Sequence, residues 1–152
     1  MRVTIAAVGR DRSGPARDLF DEYCRRCPWP IRLHEIPPRT TAPPERRRAE
    51  EAGRLSSAVA RDAALVALDE NGRNLTSRAL AAEISAWQRH GRSELVFLIG
   101  GPDGLDAALM DRADLVLALG RMTWPHRLVR VLLAEQLYRT ATILAGHPYH
   151  RE

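Results

Sequence analysis

Lysine is absent from this chain of 152 residues: all 23 basic side chains are arginine, set against 19 acids for a formal charge of +4. The missing lysine reads as genomic base composition. The net positive sign is not forced by codon usage and favours a polyanionic partner, for which the planar arginine fork is suited because it binds two phosphate oxygens at once. Cysteine is nearly as scarce. Cys24 and Cys27 stand alone, and a metal site needs further ligands that no second pair supplies. Nor are they placed as a redox motif, since they close an expected helix before Pro28 instead of opening one after a strand. Two reduced, incidental thiols and no metal are the expectation. Long apolar runs are missing too. No stretch approaches membrane-spanning length, and the short run at Met1–Val8 leads into Gly9-Arg10-Asp11-Arg12 rather than a cleavage site, so a cytoplasmic protein with no membrane partner is expected. Finally, neither the dinucleotide fingerprint G-x-G-x-x-G nor the Gly-Lys-Ser/Thr of a phosphate loop occurs, which disfavours a nicotinamide- or nucleotide-using enzyme.

What is present is ordinary globular composition, 45% hydrophobic and 28% charged, in a length that buries one good core; a single domain over residues 1–152 is expected. Residues 2–8 read as a strand ending at Gly9, and a helix follows from about Ser13 with Pro15 in its first turn. Ile31–Ile36 alternates at period two as a second strand, stopped by Pro37 and Pro38. After a proline- and threonine-rich loop over 37–44, a polar helix runs from Glu45 to about Arg61. Its Arg46-Arg47-Arg48 run reads by default as a solvated face. Ala63–Leu68 is a third strand, broken by Asp69-Glu70-Asn71-Gly72. Thr76 caps a helix through about Arg89, residues 94–99 form a fourth strand and Asp114–Ala118 a fifth. The last helix runs from about Pro125 to Ala145 and repeats Leu128, Leu132, Leu133, Leu137, Ala141 and Leu144 at helical spacing, an apolar face wide enough for core and dimer contact. Alternating strands and helices imply an α/β domain with a mainly parallel sheet.

Two segments carry chemistry. The apolar run Leu95-Val96-Phe97-Leu98-Ile99 stops at Gly100-Gly101-Pro102-Asp103-Gly104, a buried strand delivering the chain to a ligand-sized gap; the glycines allow positive φ and close approach to a ligand, and Asp103 is placed to accept hydrogen bonds or cap a short helix. The tail His147-Pro148-Tyr149-His150-Arg151-Glu152 packs two imidazoles, a phenol and a guanidinium where a domain normally frays, as a segment that joins a site would. Between them, His126 and Arg130 open the last helix, where amides and the helix dipole favour a phosphate or carboxylate; they are candidates for substrate binding.

In their order, and together with Trp124–Arg139 and the amino-terminal Val3–Gly9, these segments resemble the RlmH family, SPOUT-class methyltransferases that act on ring N3 of a pseudouridine in 23S ribosomal RNA. The resemblance covers essentially the whole chain. It implies a SPOUT-type sheet flanked by helices, with a carboxyl-terminal trefoil knot from about Leu68 onward that no residue pattern reveals. It also implies S-adenosylmethionine as cofactor, held by Leu68, by Gly100, Gly101 and Gly104, and by Leu119, Gly120, Arg121, Met122, Thr123 and Trp124. Independently, all three segments follow strands of a parallel sheet, where ligands of such folds bind.

For the reaction, the weakly acidic imide N3–H must lose its proton before attack on the methyl group, and a positive site lowers the cost of that anion. Arg151 is the leading candidate for stabilising it or anchoring phosphate, with His147, Tyr149 and His150 orienting the base or relaying the proton. The resemblance further implies a homodimer in which the tail of one chain completes the cofactor site of the other, acting on the assembled ribosome. A non-catalytic ribosome-binding or assembly factor of the same fold is the alternative.

Overall fold

The computed structural model describes residues 1–38 and 41–148. Its strands are β1 (Arg2–Val8), β2 (Ile31–Ile36), β3 (Ala64–Asn74), β4 (Glu94–Ile99) and β5 (Leu115–Ala118), and its helices α1 (Pro15–Arg26), α2 (Pro44–Ser56), α3 (Ser77–Arg89), α4 (Ala107–Asp111) and α5 (His126–Leu144). The strands form one sheet in the order β2-β1-β4-β3-β5, and every pairing is parallel. Central β4 is buried from Leu95 to Ile99, which is why its sequence is an unbroken apolar run. β2, at an edge, alternates between half-buried and exposed positions until Ile36, which is why its sequence alternates.

Two cores lie on the two faces of the sheet. On one, Val3, Ile5, Val66, Leu95 and Phe97 pack with Phe20 of α1, Leu80 and Ile84 of α3, and Val131, Leu133, Ala134 and Leu137 of α5. On the other, Ala6, Val8, Leu65, Val96 and Leu98 pack with Leu55 of α2 and Leu109 of α4. Burying a side chain of this size contributes about 1.5–3 kcal/mol, so the three inner strands anchor everything that follows them.

The expected apolar face of α5 splits. Leu133, Leu137 and Ala141 are buried, whereas Leu128 and Leu144 are about 40% exposed. Part of the leucine repeat therefore lies outside this chain's core.

Three boundaries differ from the sequence expectation. β3 does not stop at Leu68: Leu68 pairs with Leu117, the chain bulges through Asp69–Gly72, and Arg73 again pairs with Leu117. Gly72 makes this possible, since a Cβ there would lie 2.7 Å from the Leu117 carbonyl carbon. α2 ends at Ser56 because the chain tightens into i to i+3 turns at Ser57, Ala58 and Val59, with Ser57 Oγ also donating to the Arg54 carbonyl at 2.6 Å. The short helix α4 is capped by Asp106, which accepts from the Ala108 amide at 2.9 Å, and not by Asp103. Among the described residues no helix is long and apolar enough to cross a membrane.

Candidate functional site

The carboxyl ends of β3, β4 and β5 open into a cavity of about 410 Å³. Leu68, Gly100, Gly101, Gly104, Leu119, Gly120, Met122, Thr123 and Trp124 line it, and Arg121 does not. The sequence reading did not anticipate Asp69 and Glu70, which the β3 bulge carries to the rim, or Val129 from the first turn of α5. A strand running on past its bulge was the missing signal, and only the Gly72 spacing hints at it.

The glycine turn is closed on itself rather than held open for a ligand. Gly101 and Gly104 bridge, with the Gly104 amide donating to the Gly101 carbonyl at 3.0 Å. A Cβ on Gly100 would sit 2.6 Å from the Gly104 carbonyl carbon, and one on Gly101 would meet Glu51 Oε2 at 3.1 Å and Val8 Cγ1 at 3.2 Å. A side chain at Gly100 would thus overlap the turn's own backbone, while one at Gly101 would press on neighbouring side chains. Gly104, at φ +79°, needs glycine for its backbone conformation and faces open space.

On the opposite wall, Gly120 turns the chain at φ +114°, and Trp124 Nε1 donates to the Leu119 carbonyl at 3.0 Å, which folds 119–124 into a compact loop. Met122 is 74% exposed and Trp124 40%. A second cavity, of about 380 Å³, lies behind the same loop; it shares Leu119, Gly120 and Trp124 and reaches Leu132 and Gln136 of α5.

His126 and Arg130 follow, at the start of α5. Arg130 is 2% exposed. Its Nη1 donates to Glu35 Oε1 at 2.6 Å and its Nη2 to the carbonyls of Gly9 at 3.0 Å and Val8 at 3.3 Å. Glu35 Oε1 also accepts from the Asp11 amide at 2.8 Å. Burial works against the Glu35 carboxylate, but the Asp11 amide and Arg130 outweigh it and hold its pKa below the usual glutamate range. Arg130 thus orders the turn after β1, with Nη1 and Nη2 turned to protein acceptors. His126 is half-buried beside it; burial and the Arg130 charge lower its pKa, only partly offset by a hydrogen bond to the Val8 backbone. Asp11, buried at 3% exposure, ion-pairs with Arg127 at 3.5 Å.

Of the tail, His147 is exposed just beyond α5, its amide donating to the Thr142 carbonyl at 2.9 Å. Tyr149, His150 and Arg151 lie outside the described residues. Cys24 and Cys27 are free thiols, Cys24 packed against the core on the α1 side and Cys27 buried. Burial pushes the Cys24 pKa up to about 12 and raises that of Cys27 as well. Among the described residues no cluster of three or more His, Cys, Asp or Glu is placed to hold a metal ion.

Comparison with known proteins places this geometry. A family model described as predicted SPOUT methyltransferase matches residues 1–150. The ribosomal RNA large subunit methyltransferase H of Rhodospirillum centenum is 52% identical over 151 residues, covering 99% of both chains, and that of Brucella anthropi is 51% identical over 160 residues with the same coverage. A probable methylase family protein from Haemophilus influenzae shares the fold at TM-score 0.58 and 13% identity, over 99% of this chain and 70% of its own. A parallel sheet with its cavity at three carboxyl strand ends, and matches that span both chains, place this protein in the SPOUT methyltransferase family, among the ribosomal RNA large subunit methyltransferases H.

Proposed function

We propose that this chain is an S-adenosylmethionine-dependent methyltransferase of large-subunit ribosomal RNA, modifying ring N3 of a pseudouridine as a cytoplasmic homodimer acting on the assembled ribosome. The observation that carries the reading is the cavity of about 410 Å³ at the ends of β3, β4 and β5. Its volume lies within the range of small-molecule sites, and its position is where parallel α/β sheets bind ligands. Its residues fit the cofactor chemically: Leu119, Met122 and Trp124 offer apolar walls to an adenosyl group, main-chain amides and carbonyls of the two loops offer hydrogen bonds, and Asp69 and Glu70 at the rim suit a cation. The named relatives supply the substrate class, ribosomal RNA of the large subunit. A carboxyl-terminal trefoil knot belongs to the same reading, as the family resemblance implies.

When bound, the cofactor supplies a methyl group already activated by its sulfonium. The protein's share is to align the nucleophile and to make the imide anion cheaper. Arg151 supplies the positive charge, while His147, Tyr149 and His150 orient the base and carry its proton. His126, its pKa held low, enters neutral at physiological pH as a hydrogen-bonding group toward RNA. Arg130 acts indirectly, fixing the turn that presents the exposed Arg10 and Arg12.

The same reading takes the tail of one chain to complete the pocket of a second copy. The exposed apolar side chains Met122, Trp124, Leu128 and Leu144 give that partner a surface to cover.

Calorimetric titration with S-adenosylmethionine, light scattering for twice the 17.0 kDa chain mass, and methyl incorporation into ribosomes test the reading together. Mass spectrometry of ribosomal RNA from cells lacking the protein identifies the nucleotide. Tight RNA binding without methyl transfer would turn the conclusion to a non-catalytic ribosome-binding factor.

A further inference from the structure

Helix α2 grips the glycine turn of the cavity from outside. Arg47, one turn into the helix, meets the tip of the turn with both sides of its fork: Nε lies 2.9 Å and Nη2 2.8 Å from Asp103 Oδ2. Arg48 Nη1 donates to the Asp103 carbonyl at 3.5 Å. Glu51, four residues after Arg47 and so on the same helix face, is 4% exposed and sits against Gly101. The two side chains of the Arg47–Asp103 pair are 25% and 22% exposed, so water screens them less than a surface ion pair. Asp103 itself lines the cavity, as do its neighbours Gly100 to Gly104.

We propose that Arg47 is a positioning residue for this pocket, setting cofactor affinity by holding Asp103 and with it the Gly100–Gly104 turn in the shape whose main chain forms one wall. The proposal rests on the cofactor reading above and assigns the arginine run of α2 a role in it. The physical case is that a turn with glycines at 100, 101 and 104 has little stiffness of its own, and that its only internal brace among the described residues is the Gly101–Gly104 bridge. The two arginine contacts add the external brace. α2 is anchored independently by Leu55, 1% exposed in the second core, so the helix survives loss of Arg47.

The sign of the effect separates positioning from simple charge. Asp103, Asp69 and Glu70 all border the cavity. Deleting Arg47 makes the site more negative, which by electrostatics alone tightens a cationic ligand and leaves one without the sulfonium charge less affected. Positioning predicts the opposite: both bind more weakly.

The test is calorimetric titration of the full-length protein with S-adenosylmethionine and with S-adenosylhomocysteine, alongside thermal melting without ligand. Arg47→Ala should weaken both ligands by about tenfold, the effect of losing one charged hydrogen-bonding partner, with melting close to wild type. Arg47→Lys, which keeps the charge but not the fork, should recover part of the affinity. The exchange Arg47→Asp with Asp103→Arg should recover more than either single change. Unchanged or tighter S-adenosylmethionine binding by Arg47→Ala overturns the proposal, as does a loss of affinity matched by a collapse in melting temperature that neither Lys nor the exchange relieves. Wild-type protein that binds neither ligand overturns the cofactor reading and this one with it, whereas wild-type binding with indifferent variants overturns this one alone.

Discussion

Arg130→Met tests whether the guanidinium at the start of α5 belongs to the scaffold or to the substrate. The change leaves an apolar side chain of similar length but removes the donors to Glu35 Oε1, the Gly9 carbonyl and the Val8 carbonyl. Removing one partner of a buried ion pair costs about 3–5 kcal/mol, because the other charge stays behind. Glu35 keeps the Asp11 amide as a donor and its side chain is 22% exposed, so water compensates in part and the expected loss is at the lower end, about 3 kcal/mol. That is a large share of the roughly 5–15 kcal/mol that stabilises a domain. Glu35→Gln retains an acceptor and should cost about 1–2 kcal/mol. With both changes, the loss should be smaller than the sum of the two, since the double variant leaves no orphaned charge. Urea unfolding followed by circular dichroism measures all three. The same pair gives a pH signature. The folded-state pKa of Glu35 lies below its ordinary value of 4.5, so its contribution is complete above 4.5 and is lost as pH falls through the folded value; Glu35→Gln should flatten stability in that window. If Arg130→Met unfolds at the wild-type urea concentration but binds ribosomal RNA poorly, the scaffold assignment is wrong and Arg130 meets phosphate after all.

Gly100→Val should lower both stability and S-adenosylmethionine affinity, since its Cβ would fall 2.6 Å from the Gly104 backbone; a fully stable variant with weakened binding would show that the turn yields and only the ligand is displaced. Wild-type stability should also fall as pH drops below 6.5, because the unfolded chain takes up a proton at His126 before the folded one does; a His126→Gln variant with the same profile would remove His126 as the source. Arg151→Ala should retain cofactor binding and lose most methyl transfer. Mixed with the pocket variant Trp124→Ala after verified subunit exchange, it should regain part of the activity from dimers with one intact composite site. Activity of the exchanged mixture no higher than that of the separate variants would remove the tail from the partner's pocket.

Much of the fold could be read because its residues obey local rules. Ile31–Ile36 alternates since one edge of the sheet is half-buried, Leu95–Ile99 is unbroken since β4 is buried on both sides, and Thr76 caps α3 by accepting from the Ala79 amide at 3.1 Å. The sequence reading went astray where distant contacts decide. Asp69–Gly72 looks like a turn that ends a strand, and only β5 lying alongside lets β3 resume at Arg73. Arg130 looks like a helix-start anion binder, and nothing in the spacing announces that its partner is Glu35, 95 residues away. The residues lining the cavity came from the family resemblance, with the ends of parallel strands sharing one edge of the sheet as the independent physical ground. The acidic rim and the Arg47–Asp103 tie were not legible, since both depend on tertiary geometry with no sequence spacing of its own.

Of the two cysteines one is half-buried and the other buried, which favours selective labelling elsewhere on the chain. Burial pushes the pKa of the Cys24 thiol up to about 12, so little of it is thiolate at pH 8, and the thiolate is the form that reacts with maleimides. Cys27 is shifted the same way and, being buried, is less accessible still. A cysteine introduced at an exposed position, such as the end of α5 beside His147, would therefore take a fluorophore or spin label while the native thiols stay silent. One such site per chain gives a label-to-label distance between two copies of the chain, in solution and with every natural residue of the core in place.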